Sequence, residues 1–157
     1  MSAAVHIRAY NEADLDTLID LFAGSVRQVA SRDYSPAQIE AWAPVAMNRE
    51  HWATRLGSRP TYVAEADGEI VGFSDLEQDG HIDMLFVHAD HQGQGVALAL
   101  LEHIHARAHE QDIDRLFTEA SITACLFFER NGFEIIAPQD VELRGQTFRN
   151  YRMVKSL

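Results

Sequence analysis

The chain has 157 residues, enough for one compact domain that would bury about two thirds of the surface its unfolded form exposes. Hydrophobic residues make up 46% and charged residues 24%, an ordinary globular balance that excludes collagen-like and disordered compositions. Thirteen Lys and Arg against 24 Asp and Glu give a formal charge of -11, a field that repels phosphate backbones and disfavours sequence-independent nucleic-acid binding.

Val5 and Ile7 alternate with His6 and Arg8, the period of a half-buried strand. Asn11 and Asp14 then have the spacing of a helix cap, and Leu15, Leu18, Ile19, Phe22, Val26 and Val29 trace one face of the helix that follows. Ser35, Pro36 and Gln38 predict a second helix to about Ala43, stopped by Pro44, and a third short helix fits Asn48 to Gly57. Thr61 to Glu65, a turn at Asp67-Gly68, Ile70 to Leu76, a turn at Asp79-Gly80 and Ile82 to Val87 read as an antiparallel meander.

Past Gly93 and Gly95, the residues Val96, Ala97, Leu100, Leu101, Ile104 and Ala108 return to helical spacing. Leu116 to Glu119 predicts a short strand and Thr123 to Arg130 a helix closed by Asn131-Gly132, where glycine supplies the left-handed position. Phe133 to Ala137 and Thr147 to Val154 supply two final strands around Arg144-Gly145. No repeat or low-complexity tract divides the series, so one α/β domain with a mixed sheet, residues 1–157, is expected.

The segment with the clearest chemistry is Val87-His88-Ala89-Asp90-His91-Gln92-Gly93-Gln94-Gly95-Val96-Ala97, a strand end and a glycine-bearing loop that opens a helix. Such a loop offers free backbone N–H groups and the positive end of a helix dipole to an anion, and the glycines let a pyrophosphate approach the backbone. It lacks the third glycine of a dinucleotide fingerprint and the Gly-Lys-Ser/Thr of a nucleoside-triphosphate loop.

With Gln92, Gly95 and Ala97 in place, the segment resembles the Gln/Arg-x-x-Gly-x-Gly/Ala loop of the GNAT superfamily of N-acetyltransferases, and the element order is similar to that fold over the whole chain. The resemblance implies a mostly antiparallel central sheet flanked by helices. It also implies acetyl-CoA as acyl donor, with its pyrophosphate on the amides of Gln92, Gly93, Gln94, Gly95, Val96 and Ala97. Leu85, Phe86 and Val87 would meet the pantetheine arm, which could pair with a strand edge through its own amides.

Ala124, Phe127, Phe128, Gly132 and Phe133 resemble the family's late helix, which adds Ser121, Ala124, Phe127 and Phe128 to the implied coenzyme contacts. Many members carry a tyrosine acid at the position of Phe128 and asparagine at that of Ser121. Tyr34 to Ala43, Ile82 to Val87 and Ala120 to Arg130 are similar, more narrowly, to the bacterial YafP group.

Acyl transfer to an amine needs a proton acceptor and backbone donors for the developing oxyanion. Asp83 ranks first, because a carboxylate in an apolar strand run is costly without a purpose or a partner, and an arginine partner is the competing explanation. His81, where many family members carry a glutamate base, is the second acceptor or else a solvated turn residue. Tyr34, Trp42 and Trp52 fall in the helical region that by resemblance covers the acceptor, and suit either its walls or the core.

His103, His105 and His109 lack acidic or cysteine partners for a metal, so none is expected. The lone Cys125, without a nucleophile motif around it, reads as a small buried apolar residue. One cysteine, no leader at Met1 and no apolar run of roughly 18 to 20 residues point to a cytoplasmic protein with no membrane contact, monomeric or homodimeric. The expected activity is acetyl transfer to a primary amine of a small molecule or peptide, with a coenzyme A-binding module of little or no turnover as the rival.

Overall fold

The structure, a computed structural model, describes residues 4–157. The stretch at Met1 that bears on a leader lies outside the described residues. Strand β1 (His6–Ala9) leads to a turn in which Asn11 Oδ1 accepts from Ala13 N and Asp14 Oδ2 accepts from Asn11 N. This reciprocal cap closes a 3-10 turn (Glu12–Asp14) that runs directly into α1 (Leu15–Gln28), whose Leu15, Leu18, Ile19, Phe22 and Val26 are buried. Burying each such side chain is worth about 1.5–3 kcal/mol.

Ser35 and Gln38 cap α2 (Pro36–Trp42) in the same reciprocal way, and Asn48 caps α3 (Arg49–Gly57). The remaining elements are β2 (Thr61–Ala66), β3 (Glu69–Asp75), β4 (His81–Ile82), β5 (Leu85–Val87), α4 (Val96–Glu110), β6 (Arg115–Ser121), α5 (Ile122–Arg130), β7 (Glu134–Leu143) and β8 (Gln146–Ser156). Asp67-Gly68 and Arg144-Gly145 turn with positive φ at both positions, the geometry that tight hairpins demand.

The strands form two four-stranded arrays, β1-β2-β3-β5 and β4-β6-β8-β7. All pairings are antiparallel except β4 with β6, which is parallel. This corrects the expectation of one continuous strand from Ile82 to Val87 in a meander. The strand breaks at Asp83-Met84: His81 and Ile82 pair with Phe117 and Thr118, whereas Leu85 to Val87 pair with Ser74 to Gly72.

Side chains take over the missing ladder bonds. The fully buried Asp75 accepts through Oδ1 from Asp83 N at 2.9 Å and Met84 N at 2.8 Å. Ser74 Oγ donates to Met84 O at 2.6 Å, and Thr118 Oγ1 donates to Ile82 O at 2.8 Å. Side-chain hydrogen bonds thus hold the break, and beyond it the two arrays part.

Both faces of the first array are covered. Val63 and Phe73 pack toward α1, α2 and α3, while Tyr62, Ala64 and Val71 pack with Val96, Leu100, Leu101 and Ile104 of α4. Gly72 permits this, since a Cβ there would lie 2.8 Å from Val96 Cγ1 and 3.1 Å from Phe86 O. The N-terminus of α4 is thereby pressed against β3, next to β5.

Candidate active site

Among the described residues β5 pairs with β3 along one edge and has no strand on the other, because β6 pairs with β4 and β8 instead. From that open edge the chain enters the glycine loop. Gln92 Nε2 donates to Val87 O at 2.9 Å and His88 O at 3.3 Å, folding the loop back on the strand end. Gly93 and Gly95 have φ of 72° and 82°, and a Cβ on either would meet no atom within 4 Å. The first bond of α4 runs from Ala99 N to Gly95 O, so the amides before Ala99 are left for an anion.

Two clefts meet where the arrays part. The first, about 280 Å³, runs from the glycine loop past Leu85 to Val87 and is walled by Val26 of α1, Val29 just after it and Phe127 of α5. The second, about 350 Å³, lies beneath α2 and the β7–β8 hairpin, within the range of small-molecule sites. Its walls include Phe22, Tyr34, Trp42, Phe86 and Phe148, and its charged groups are Arg55, Asp83 and Glu119. Leu85, Phe86, Ser121 and Ala124 line both clefts.

The roof of the second cleft is held by its own hydrogen bonds. Tyr34 Oη donates to Arg149 O at 2.6 Å and accepts from Ile122 N at 3.0 Å, and Gln38 Nε2 donates to Thr147 O at 2.7 Å. Burial pushes the Tyr34 phenol up, although the Ile122 amide opposes it. With donor and acceptor both engaged, this hydroxyl has no proton free for chemistry.

Most residues singled out by sequence do come together. Val87, Gln92, Gly93, Gly95, Val96 and Ala97 line the first cleft with Phe127, whereas Phe128 lines the second, buried against Phe127 and Phe133. Gln94 lines neither, and its Oε1 accepts from His91 Nδ1 at 3.1 Å. Tyr34 and Trp42 wall the second cleft, but Trp52 is a core residue, its ring 4.6 Å from that of Phe22 and over the same buried side of α3 as Leu56. Ser121 Oγ accepts from Ala124 N at 3.1 Å, which leaves its O–H free to donate at the junction.

The two sequence-ranked proton acceptors are both tied to partners. Asp83 Oδ2 accepts from Arg55 Nε and Nη2 at 3.0 and 2.9 Å and from Arg59 Nη1 at 2.8 Å. Arg59 Nη1 also reaches Asp75 at 3.1 Å and Glu77 at 3.2 Å, so a guanidinium sits amid the three carboxylates whose spacing would suit a metal ion. His81 lies between Glu77, 2.7 Å from Nδ1, and Glu119, 2.9 Å from Nε2. Burial pulls the His81 imidazole down, but the two carboxylates outweigh it and the net shift is upward.

Burial is also the main force on Asp75, raising it to about 6 with help from Asp83, against the Met84 amide and Arg59. Cys125 is buried, and burial together with Glu129 pushes its thiol up, away from thiolate chemistry. His105 Nδ1 donates to Leu101 O at 2.8 Å, and His103 packs on Tyr62.

Glu119, Arg55, Phe22, Phe148 and His91 are cleft residues that sequence reading did not pick out. Glu119 had a usable signal, a carboxylate in the β6 run Leu116-Phe117-Thr118-Glu119-Ala120 just before the cap at Ser121. Arg55 and Phe148 reach the cleft through contacts far apart in the chain, which no local pattern encodes.

Comparison with known proteins identifies the family. The chain is 40% identical over 150 residues to the N-acetyltransferase YafP of Escherichia coli (strain K12), spanning 95% of this chain and 94% of that protein. A GCN5-related N-acetyltransferase from Rhodopseudomonas palustris superposes with a TM-score of 0.95 at 32% identity, over 100% of this chain and 98% of that one. The PaiA N-acetyltransferase of Thermoplasma acidophilum, solved in complex with coenzyme A, shares the fold at a TM-score of 0.80 and 19% identity, over 98% and 99% of the two chains. Residues 30–155 match the family described as the Acetyltransferase (GNAT) domain, and with these relatives the chain belongs to the GNAT acetyltransferases.

Proposed function

We propose that this acetyltransferase moves the acetyl group of acetyl-CoA to a primary amine of a small molecule or peptide, by direct attack in a ternary complex. The observation that carries this reading is the meeting of two clefts at Leu85, Phe86, Ser121 and Ala124. A thioester held there is approached from one side along the glycine loop and from the other through a carboxylate-bearing cleft. The cleft fits the coenzyme in two respects: β5 has a free edge for the pantetheine amides, and the loop glycines leave open space before unpaired helical N–H groups.

The amine attacks the acyl carbon, the C–S bond breaks, and the thiolate departs while the amine loses a proton. Backbone amides at the β5 edge stabilise the developing oxyanion. An ammonium substrate first gives up one proton to solvent, and Asp83, bound by two guanidinium groups, orients the resulting amine. Glu119, steadied by His81, receives the proton through water. A cytoplasmic setting and a monomeric or homodimeric state belong to the same proposal; among the described residues no helix is long and apolar enough to cross a membrane.

Free-thiol release from acetyl-CoA over a panel of primary amines tests the reading. The Glu119→Gln protein is expected to bind acetyl-CoA as the parent does and to release thiol at least about tenfold more slowly. Binding without release for every amine would instead support a coenzyme A-binding module, a reading that the missing tyrosine at Phe128 favours.

Phe128 has no proton to give, Tyr34 is fully engaged, and Tyr151 lines neither cleft. Phe128→Tyr is therefore expected to raise turnover, by no more than about tenfold because a coenzyme A thiolate leaves readily unaided. Rates measured across pH with one accepted amine check this. A large fall with acetyl-CoA affinity intact would show that the apolar ring is itself required.

A further inference from the structure

The coenzyme cleft has an unusual electrostatic feature for a site meant to hold a polyanion. Among its described lining residues none is Lys or Arg, and the chain has neither between Arg59 and Arg107. The protein as a whole carries a formal charge of -11. Backbone amides supply partial charges to the pyrophosphate, but only one lining side chain can carry a full positive charge, and that is His91.

We infer that His91 is the side-chain cation for the coenzyme's phosphate groups, a role that rests on the coenzyme reading above. His91 closes the turn that precedes the glycine loop, half-buried at the cleft wall. Its Nδ1 faces Gln94 Oε1 at 3.1 Å, an oxygen that can only accept, so Nδ1 carries hydrogen and Nε2 is left for the ligand. A proton on Nε2 adds a second donor and the charge together.

The groups around His91 do not supply that charge in its place. On the same turn the His88 ring lies 5.3 Å away, its Nδ1 accepting from Asp90 N at 3.0 Å, with Asp90 itself exposed. Across the cleft α1 and the residues just after it present Ser25, Val26, Val29 and Ala30, α4 presents Val96, Ala97 and Leu98, and α5 presents Thr123, Ala124 and Phe127, none of which is charged. Arg27 of α1 is turned away, donating to Ala43 O and Pro44 O, and Asp33 accepts from Thr123 Oγ1. Arg32, in the turn after α1, is exposed and does not line the cleft. Glu102 of α4 lies beyond the lining residues of this cleft, as do Glu129 and Arg130 of α5.

A protonated imidazole holds a phosphate better than a neutral one, so whatever affinity depends on His91 should be greater at pH 6 than at pH 8. The sign follows from the ligand: the protonated ring favours a phosphate and the bound phosphate favours protonation. The gain is modest because the contact is open to solvent and screened by salt.

The test is calorimetric titration of acetyl-CoA into the full chain at pH 6 and pH 8, for the parent and for His91→Gln, His91→Arg and Arg32→Gln. The ligand's own phosphate titration cancels when each variant is compared with the parent at one pH. His91→Gln is expected to weaken binding about three- to fivefold at pH 6 and little at pH 8, and His91→Arg to tighten it at pH 8. Arg32→Gln should track the parent. Equal affinities for parent and His91→Gln at both pH values would overturn the inference and leave the coenzyme reading standing. A selective loss in Arg32→Gln would overturn it as well, and no binding by any form would overturn both together.

Discussion

Gly95→Glu is expected to weaken acetyl-CoA binding by at least about a hundredfold, the largest effect of any single change in the coenzyme cleft. Gly95 caps α4 in the left-handed region, φ 82°, where a side chain costs about 1–2 kcal/mol. A Cβ there meets nothing within 4 Å, so the added chain would extend into the open space that the pyrophosphate is proposed to fill. Its carboxylate would then oppose the phosphates at close range, where like charges near a protein surface repel by about 4 kcal/mol at 4 Å. Since about 1.4 kcal/mol is a factor of ten, charge alone exceeds the hundredfold expectation.

Gly95→Ala separates the two contributions, because it keeps the backbone strain and omits the charge. It should lower the melting temperature about as much as the glutamate does while retaining most of the affinity. Calorimetric titration of both folded variants decides the matter. An acetyl-CoA affinity unchanged in Gly95→Glu would remove the loop from the site.

What the sequence made legible was whatever depends on neighbours in the chain. The reciprocal caps Asn11 with Asp14 and Ser35 with Gln38 appear in the structure as read, because each is closed by residues three apart. The glycine loop was legible for the same reason, being a strand end, a turn and a helix start in one short run. Trp52 was also decidable, since Leu56 four residues on shares its buried face, and the helical phase of α3 assigns both to the core.

The break between β4 and β5 was not legible. Ile82 to Val87 is an apolar run with one carboxylate, and by period alone it is a strand. What splits it is Asp75, eight positions earlier, together with Thr118 from a strand that follows a whole helix. Asp83 illustrates the same limit. A costly carboxylate in a strand signals a purpose or a partner, and the partners turned out to be Arg55 and Arg59, 28 and 24 residues away. Strand alternation would put His81 and Asp83 on one face, but the strand ends at Ile82 and alternation does not carry across the break.

That break makes Asp75 the residue on which the shape of the site most depends, and Asp75→Ala should be correspondingly severe. Removing the carboxylate leaves the amides of Asp83 and Met84 without an acceptor, and a buried unsatisfied group costs about 1–3 kcal/mol. Arg59 keeps Glu77 and Asp83, so the loss should centre on the strand break, about 3 kcal/mol or more. For a chain of this size that lowers the melting temperature by about 6–12 °C. Without those two bonds the segment is free to realign as one strand, which would narrow the opening between β5 and β6 and weaken acetyl-CoA binding. Asp75→Asn provides the contrast, since its amide oxygen can still accept from both N–H groups while its Nδ2 loses the Arg59 bond, and it should cost less than the alanine, about 1–2 kcal/mol. The two also differ from the parent in pH dependence. Burial pushes the Asp75 carboxyl up from its ordinary 3.8 to about 6 in the folded chain, so the folded chain holds more protons between those limits. Its contribution to stability therefore falls as pH rises from about 4 to 6, a slope that Asn removes. Melting curves at pH 4.5 and 7 with acetyl-CoA titrations below the melting range test all three forms. An Asp75→Ala protein as stable as the parent, with the same affinity, would show that the strand break holds without its carboxylate.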